Sequence, residues 1–290
     1  MKLFDIKRCL IDPKPRQSIY WHQNPDSKEI WCFCNACDRA YSIYSYCNAA
    51  GISLKELLTA FKETDFSKTS PDEVRKMEWP EWFLSLSDPR SKPAVDYIRS
   101  RGLTLEGDMY YDSQYGGVAF PLYYDQHFCG AQTRLIRPWI NESGEETRVL
   151  TLPGTRTGLL FYGWNQAKFV TDTKGLIITE GPIDALSIQQ SLNLSYGSVL
   201  DNPWKVVATC GAGVSEYRME AIKKLKEAGI KIVLCPDNDN AGLKMLSKFI
   251  EAEAITHCAF TDSDLDWNDE LKKEGREKFS QWFLQRVKHV

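Results

Sequence analysis

The sequence predicts an α/β protein. A parallel sheet with helices on both faces spans residues 166–290. A mixed α+β subdomain and a small N-terminal β domain precede it. Three observations carry this expectation. Short apolar runs alternate with helical stretches after residue 174. Acidic residues follow three of those runs. Five of the nine cysteines (Cys9, Cys32, Cys34, Cys37, Cys47) fall in the first 47 residues.

The elements follow in order. LIIT (176–179) is a short strand, and Pro182 suits the first turn of the next helix. VVAT (206–209) is a second strand, followed by a helix over 215–228. IKIVLC (230–235) is a third, followed by a helix over 240–252. AITHCAF (254–260) is a fourth, and a helix over 277–287 closes the chain. Strands alternating with helices imply a parallel sheet covered on both sides. Upstream, GGVAFPLYYDQHFCGAQTRLIRPW reads as a hairpin of aromatic and β-branched runs around a polar turn. NESGEETR (141–148) is a polar excursion. Ser53 to Phe61 reads as a helix, with Ser53 as cap and Glu56 completing a capping box. Residues 62–76 are polar, contain Ser, Thr and Pro, and read as a linker. The expected divisions are therefore 1–61, 62–76, 77–165 and 166–290.

Composition narrows the class. The chain has 290 residues, 43% apolar and 26% charged, as in ordinary globular domains. It contains no apolar run of 18 residues, so no transmembrane helix is expected. Charges interrupt the apolar stretch of MKLFDIKRCLID, which excludes a signal peptide and leaves a cytoplasmic location expected. The cysteines are expected to be reduced, and their clustering favours a metal site over a disulfide framework. Cys129, Cys210, Cys235 and Cys258 are expected as buried free thiols. The net charge of −3 argues against a uniformly basic nucleic-acid binder. A local basic groove is still compatible with that sum.

In open parallel sheets, sites form at the carboxyl ends of strands. Glu180 follows the first strand, and Asp184 lies one turn into the next helix. Asp237 and Asp239 follow the third strand. Asp266 and Asp269 follow the fourth, with Asn268 between them. Acids converging on one sheet edge raise each other's pKa unless a cation is present. Oxygen ligands favour hard ions such as Mg²⁺ or Mn²⁺. A pair of such ions can stabilise attacking and leaving oxygens in phosphoryl transfer. Helix capping and solvated loop ends are the competing explanation for any single cluster.

EGPIDAL (180–186) and DNDNAG (237–242) resemble the two signature motifs of the TOPRIM domain, shared by primases, topoisomerases and some nucleases. VVATCGAGVS resembles the glycine-containing turn between them in bacterial and phage primases. DWNDELKKEGREKFSQWF resembles their third acidic motif, with Asn268 where an acid is usual. The resemblance implies Glu180 as general base or metal ligand, and Asp237, Asp239 and Asp266 as metal ligands. Asp184 would support the site, and Gly211 and Gly213 would shape the neighbouring turn.

Residues 117–163 resemble the basic subdomain that precedes TOPRIM in primases. GAQTRLIRPW and TRVLTLPGTRTGLLFYGWNQA supply Arg134, with Arg137, Arg148 and Arg156 as further groove residues for template or NTP phosphates. Trp139 and Tyr162 are aromatic candidates for base stacking, with core packing the leading expectation for both. The N-terminal cysteines resemble the template-reading zinc ribbon of these primases. Cys34 and Cys37 supply its CxxC half; Cys9 supplies the other half, with Asp12 in the second ligand position. His22, Cys32 or Cys47 are alternative ligands, and loss of the metal is a further alternative.

The resemblance implies a compact DNA primase of phage or mobile-element type, making short RNA primers on single-stranded DNA from NTPs. No Gly-x-x-x-x-Gly-Lys-Ser/Thr P-loop is present, so a separate replicative helicase is the expected partner. A TOPRIM nuclease shares the acids but needs neither ribbon nor basic subdomain. A catalytically inactive DNA-binding replication accessory protein is the non-enzymatic alternative.

Overall fold

The computed structural model describes residues 19–23, 30–34, 39–42, 46–48, 53, 55, 74–140, 144, 146–164, 173–198, 201–211, 213–262 and 265–288. The chain divides into two compact units, 1–67 and 68–290.

In the first unit, β1 (Ile19–Gln23), β2 (Ile30–Cys34) and β3 (Arg39–Ser42) form an antiparallel sheet in the order β1-β2-β3. Cys34 ends β2, opposite Ile19 and Arg39. Cys9, Asp12 and Cys37 lie outside the described residues, as does most of the helix expected over 53–61.

The second unit opens with β4 (Phe83–Ser85), helix α1 (Lys92–Ser100) and β5 (Tyr110–Asp112). The expected hairpin follows as β6 (Gly117–Tyr124) and β7 (His127–Ile140). Asp125 and Gln126 form its turn, both with positive φ (46° and 65°), the backbone that matches strand twist in two-residue turns. With β8 (Glu146–Thr151) these strands make a five-stranded antiparallel sheet, β4-β5-β6-β7-β8.

The second half supplies the parallel sheet. Its strands are β9 (Gly175–Thr179), β10 (Trp204–Ala208), β11 (Lys231–Cys235) and β12 (His257–Cys258), in the order β10-β9-β11-β12. All three neighbouring pairs are parallel. The helices are α2 (Pro182–Tyr196), α3 (Glu216–Glu227), α4 (Asn240–Glu251), α5 (Trp267–Glu274) and α6 (Arg276–Lys288). Pro182 occupies the first helical position of α2, as its fixed φ favours. Two details differ from expectation. The fourth strand keeps only two residues, because it sits at the sheet edge with one neighbour. An additional helix, α5, precedes the last one. Asp266 caps its start, and Gly275 at φ 76° ends it.

Every residue of β9 is buried, as both faces of a covered parallel sheet require. One face (Leu176, Ile178, Val207, Ile232, Leu234) packs on Ile222 of α3 and on Met245 and Phe249 of α4. The opposite face (Ile177, Val206, Val233) packs with Leu186 and Ile188 of α2 and Phe279 and Phe283 of α6. That same core includes Val118, Phe120 and Leu122 of β6 and Ile98 of α1. The antiparallel sheet and the parallel sheet thus share one core. Tyr162 pairs antiparallel with Ala208 of β10 through two backbone hydrogen bonds. Among the described residues, no helix is long and apolar enough to cross a membrane.

Candidate active site at the carboxyl edge of the parallel sheet

Glu180 leaves the end of β9, and its Oε2 is buried without a hydrogen-bond partner. Asp237 follows β11, and its Oδ1 is likewise buried and unpartnered. Asp239 caps α4: its Oδ1 accepts the backbone N–H groups of Ala241 and Gly242, both at 2.8 Å. Asp184 lies in the first turn of α2, where its Oδ1 accepts the N–H of Asn268 at 3.0 Å. Asp266 caps α5 through Oδ1, which accepts the N–H of Asp269 at 2.6 Å. Capping and catalytic service were competing explanations for these acids. The geometry shows helix-start anchoring for three of them: one oxygen each of Asp184, Asp239 and Asp266 accepts a backbone N–H there.

The carboxylates feel one another. Burial, and then Glu180, Asp266 and Asp239, push Asp237 up to about 7. Burial and Asp239 raise Glu180. Burial, followed by Asp266 and Asp237, lifts Asp184 far above the carboxylate range, partly offset by the Asn268 N–H and Arg101. Such mutual repulsion is what a bound cation relieves. Among the described residues, no three His, Cys, Asp or Glu side chains close into a finished metal cage. The donor set nevertheless suits a hard cation. All donors are oxygens, two are buried orphans, and a Mg²⁺-type site completes its shell with water and phosphate oxygens.

Backbone geometry keeps the edge compact. A Cβ on Gly242 would stand 2.0 Å from the carbonyl oxygen of Asp237. A Cβ on Gly181 would stand 2.9 Å from Oδ2 of Asp184. Past β10, Cys210 adopts a left-handed φ of 58°, and its N–H donates to the Glu180 carbonyl at 3.0 Å. Gly211 follows at φ 130°, and Gly213 lies further along the same turn. Gln132 of β7 donates to the Cys210 carbonyl at 3.0 Å, tying the antiparallel sheet to this turn.

The basic residues separate by position. Arg134 lines a cavity of about 90 Å³ together with Asp184, Asp266, Gly181 and Arg101. Arg137 is exposed further along β7. Arg148 forms a bidentate pair with Glu146, both bonds at 2.9 Å. Arg156 immediately precedes a 3-10 turn over Thr157–Leu159. Tyr162 is core, as expected, but Trp139 is 48% exposed. Its pairing with β8 resumes after a register shift, past the packed part of the sheet. Cys129, Cys210 and Cys235 are buried and Cys258 is exposed, since two-residue β12 is an edge strand.

Arg101 was not among the expected site residues. It lies just past α1, 3.7 Å from Asp266 and 3.5 Å from Asp269. Its local sequence, IRSRGLTL, gave no sign of this, because the acids are about 165 residues away. Asn268 was considered as a ligand position; its Nδ2 serves as scaffold, while its Oδ1 is buried without a hydrogen-bond partner. Asn268 is fully buried, and its Nδ2 donates to the Arg101 carbonyl and to Ser187 Oγ, both at 2.8 Å. A larger cavity of about 270 Å³ lines the other side of α2 and shares no residue with the acidic edge.

Residues 177–271 match the Toprim-like family. These residues form a Toprim-like domain. Over 242 residues the chain is 28% identical to a DNA primase of Thermotoga maritima, covering 74% of this chain and 39% of that protein. The chain therefore spans about two-fifths of the length of the curated relative it matches. The RNA polymerase domain of Mycobacterium tuberculosis primase DnaG, solved with a double-stranded DNA oligomer carrying an overhang, shares the fold. It aligns with a TM-score of 0.51 at 13% identity, over 69% of this chain and 75% of that one. A DnaG primase catalytic domain solved bound to single-stranded DNA aligns with a TM-score of 0.49 at 20% identity, over 70% of this chain and 74% of that one.

Proposed function

We propose that this chain is a DNA primase that joins NTPs into short RNA primers on single-stranded DNA. One observation carries the proposal: at one edge of the Toprim-like sheet Glu180 and Asp237 each keep a buried oxygen without a partner, and burial, Glu180, Asp266 and Asp239 push Asp237 up to about 7. Glu180, Asp237, Asp239 and Asp266 would hold Mg²⁺ or Mn²⁺. The cations supply charge that stabilises the attacking and leaving oxygens of phosphoryl transfer. Glu180 is also the general-base candidate, since burial and Asp239 raise the proton affinity of its carboxylate. Asp184 holds α5, and hence Asp266, in place through the Asn268 N–H. Arg134 faces the same edge from β7 and suits phosphate oxygens of template or nucleotide. Arg137 and Arg156 are further phosphate candidates. Arg148 joins them only by giving up its bond to Glu146.

The N-terminal unit is proposed to bind Zn²⁺ through Cys9, Asp12, Cys34 and Cys37 and to help choose the start site. Metal analysis of the purified protein, with Cys34→Ser and Cys37→Ser as controls, checks this. A separate replicative helicase is the proposed partner, and the cytoplasm the proposed location, that of the host if the chain is phage-encoded.

Incubating the protein with single-stranded DNA, four NTPs and Mg²⁺ or Mn²⁺ should yield short labelled RNA. Cleavage of nucleic acid without synthesis, across varied templates, sinks the primase assignment in favour of a nuclease. Asp237→Ala combined with Asp239→Ala should abolish synthesis, and surviving synthesis refutes the site assignment.

A further inference from the structure

The acidic edge is electrically divided. At one end stand Glu180, Asp237 and Asp239, and among the described residues no Lys or Arg is ion-paired with them. At the other end, Asp266 and Asp269 already have a cation. Nη2 of Arg101 lies 3.7 Å from Oδ2 of Asp266, and its Nη1 lies 3.5 Å from Oδ1 of Asp269. That Oδ2 is the oxygen Asp266 does not use to cap α5.

Arg101 is held in place. Its side chain is 18% exposed, and its Nε is buried. Its backbone N–H donates to the Tyr97 and Ile98 carbonyls of α1, and its carbonyl accepts from buried Asn268. Asn268 in turn follows Asp266 by two residues. One buried amide thus fixes both the arginine and the acid it neutralises.

We propose that Arg101 is a positioning residue that occupies the Asp266 end of the acidic edge as an internal counter-cation. The nucleotide-free protein then takes up one divalent cation, at the Glu180–Asp237–Asp239 end. A second ion enters only when the guanidinium is drawn away, and nucleotide phosphate is the anion of matching chemistry in the cavity it shares with Arg134. This inference rests on the metal-dependent reading of the site.

Mn²⁺ binding to nucleotide-free protein, followed by electron paramagnetic resonance, tests it without any assay of synthesis. Wild type should bind one ion per chain. Asp237→Asn should lose that ion and Asp266→Asn should keep it. Arg101→Gln should admit a second ion or tighten it on the order of tenfold, and Arg101→Lys should restore single occupancy. Two ions of similar affinity in wild type overturn the inference, as does loss of the single ion in Asp266→Asn. Should Arg101→Gln fail to fold, the wild-type count and the two Asp variants still decide. Equal binding by wild type and Arg101→Gln overturns the inference alone. No binding by any form overturns the metal reading with it.

Discussion

Gly242 is dictated by one neighbour, the Asp237 carbonyl oxygen, which a Cβ would approach to 2.0 Å. Both atoms are backbone or backbone-attached, so no side-chain rotation relieves the clash. Gly242→Ala should displace Asp237, cost about 1–3 kcal/mol in chemical denaturation and weaken Mn²⁺ binding. Asp237 itself carries the opposite sign of effect. Its carboxyl titrates near 7 in the fold against an ordinary value of 3.8. Between those two pH values the native state binds more protons than the unfolded chain, so stability falls as pH rises. In chelator at pH 8, Asp237→Asn should therefore melt at a higher temperature than wild type, an advantage that vanishes near pH 4. Thermal melts at the two pH values check it. An equal advantage at both would refute the cost of ionising this buried, crowded carboxyl as its cause.

At the scale of elements, helix starts organise the site. Three helices, α2, α4 and α5, begin at the carboxyl edge, and Asp184, Asp239 and Asp266 each accept a helix-start N–H there. Asp239→Ala thus removes a cap as well as a proposed ligand, and should lower stability by about 1 kcal/mol even without metal. Asn268 joins α5 to α2 and to the end of α1 by two side-chain bonds at 2.8 Å. Asn268→Ala leaves the Arg101 carbonyl without that donor. Urea denaturation should register a loss on the order of 2–4 kcal/mol. Asn268→Asp should not rescue it, because a carboxylate cannot donate to either partner and would stand beside Asp184. An Asp variant as stable as wild type would contradict this role.

For the whole second unit, the shared core is the deciding feature. Val118, Phe120 and Leu122 of the antiparallel sheet lie in one cluster with Ile177, Leu186 and Phe283 of the parallel-sheet half. Residues 68–290 should therefore unfold in a single cooperative transition. Fragments cut between 165 and 166 should each expose half of that cluster and fail to fold alone. Circular dichroism and amide dispersion report this directly, and an independently folded 166–290 fragment would overturn it. The same packing carries Arg134 and Gln132 to the acidic edge.

The sequence alone determined what is local. Apolar runs of strand length, each followed by a helical period, gave β9, β10 and β11 with their helices, because burial on both faces of a parallel sheet leaves an uninterrupted apolar signature. The motif acids were legible for the same reason, since they immediately follow those runs. The helix α5, capped by Asp266 and stopped at Gly275, was not read from the sequence, where a single closing helix was expected. Tertiary structure decided the rest. It made 77–165 and 166–290 one body and exposed Trp139 beyond the packed sheet. It also turned Asn268 into scaffold and brought Arg101 to Asp266. Those outcomes depend on contacts between residues far apart in the chain. Periodicity and spacing encode which face of an element is apolar, but not which distant charge will be packed against it.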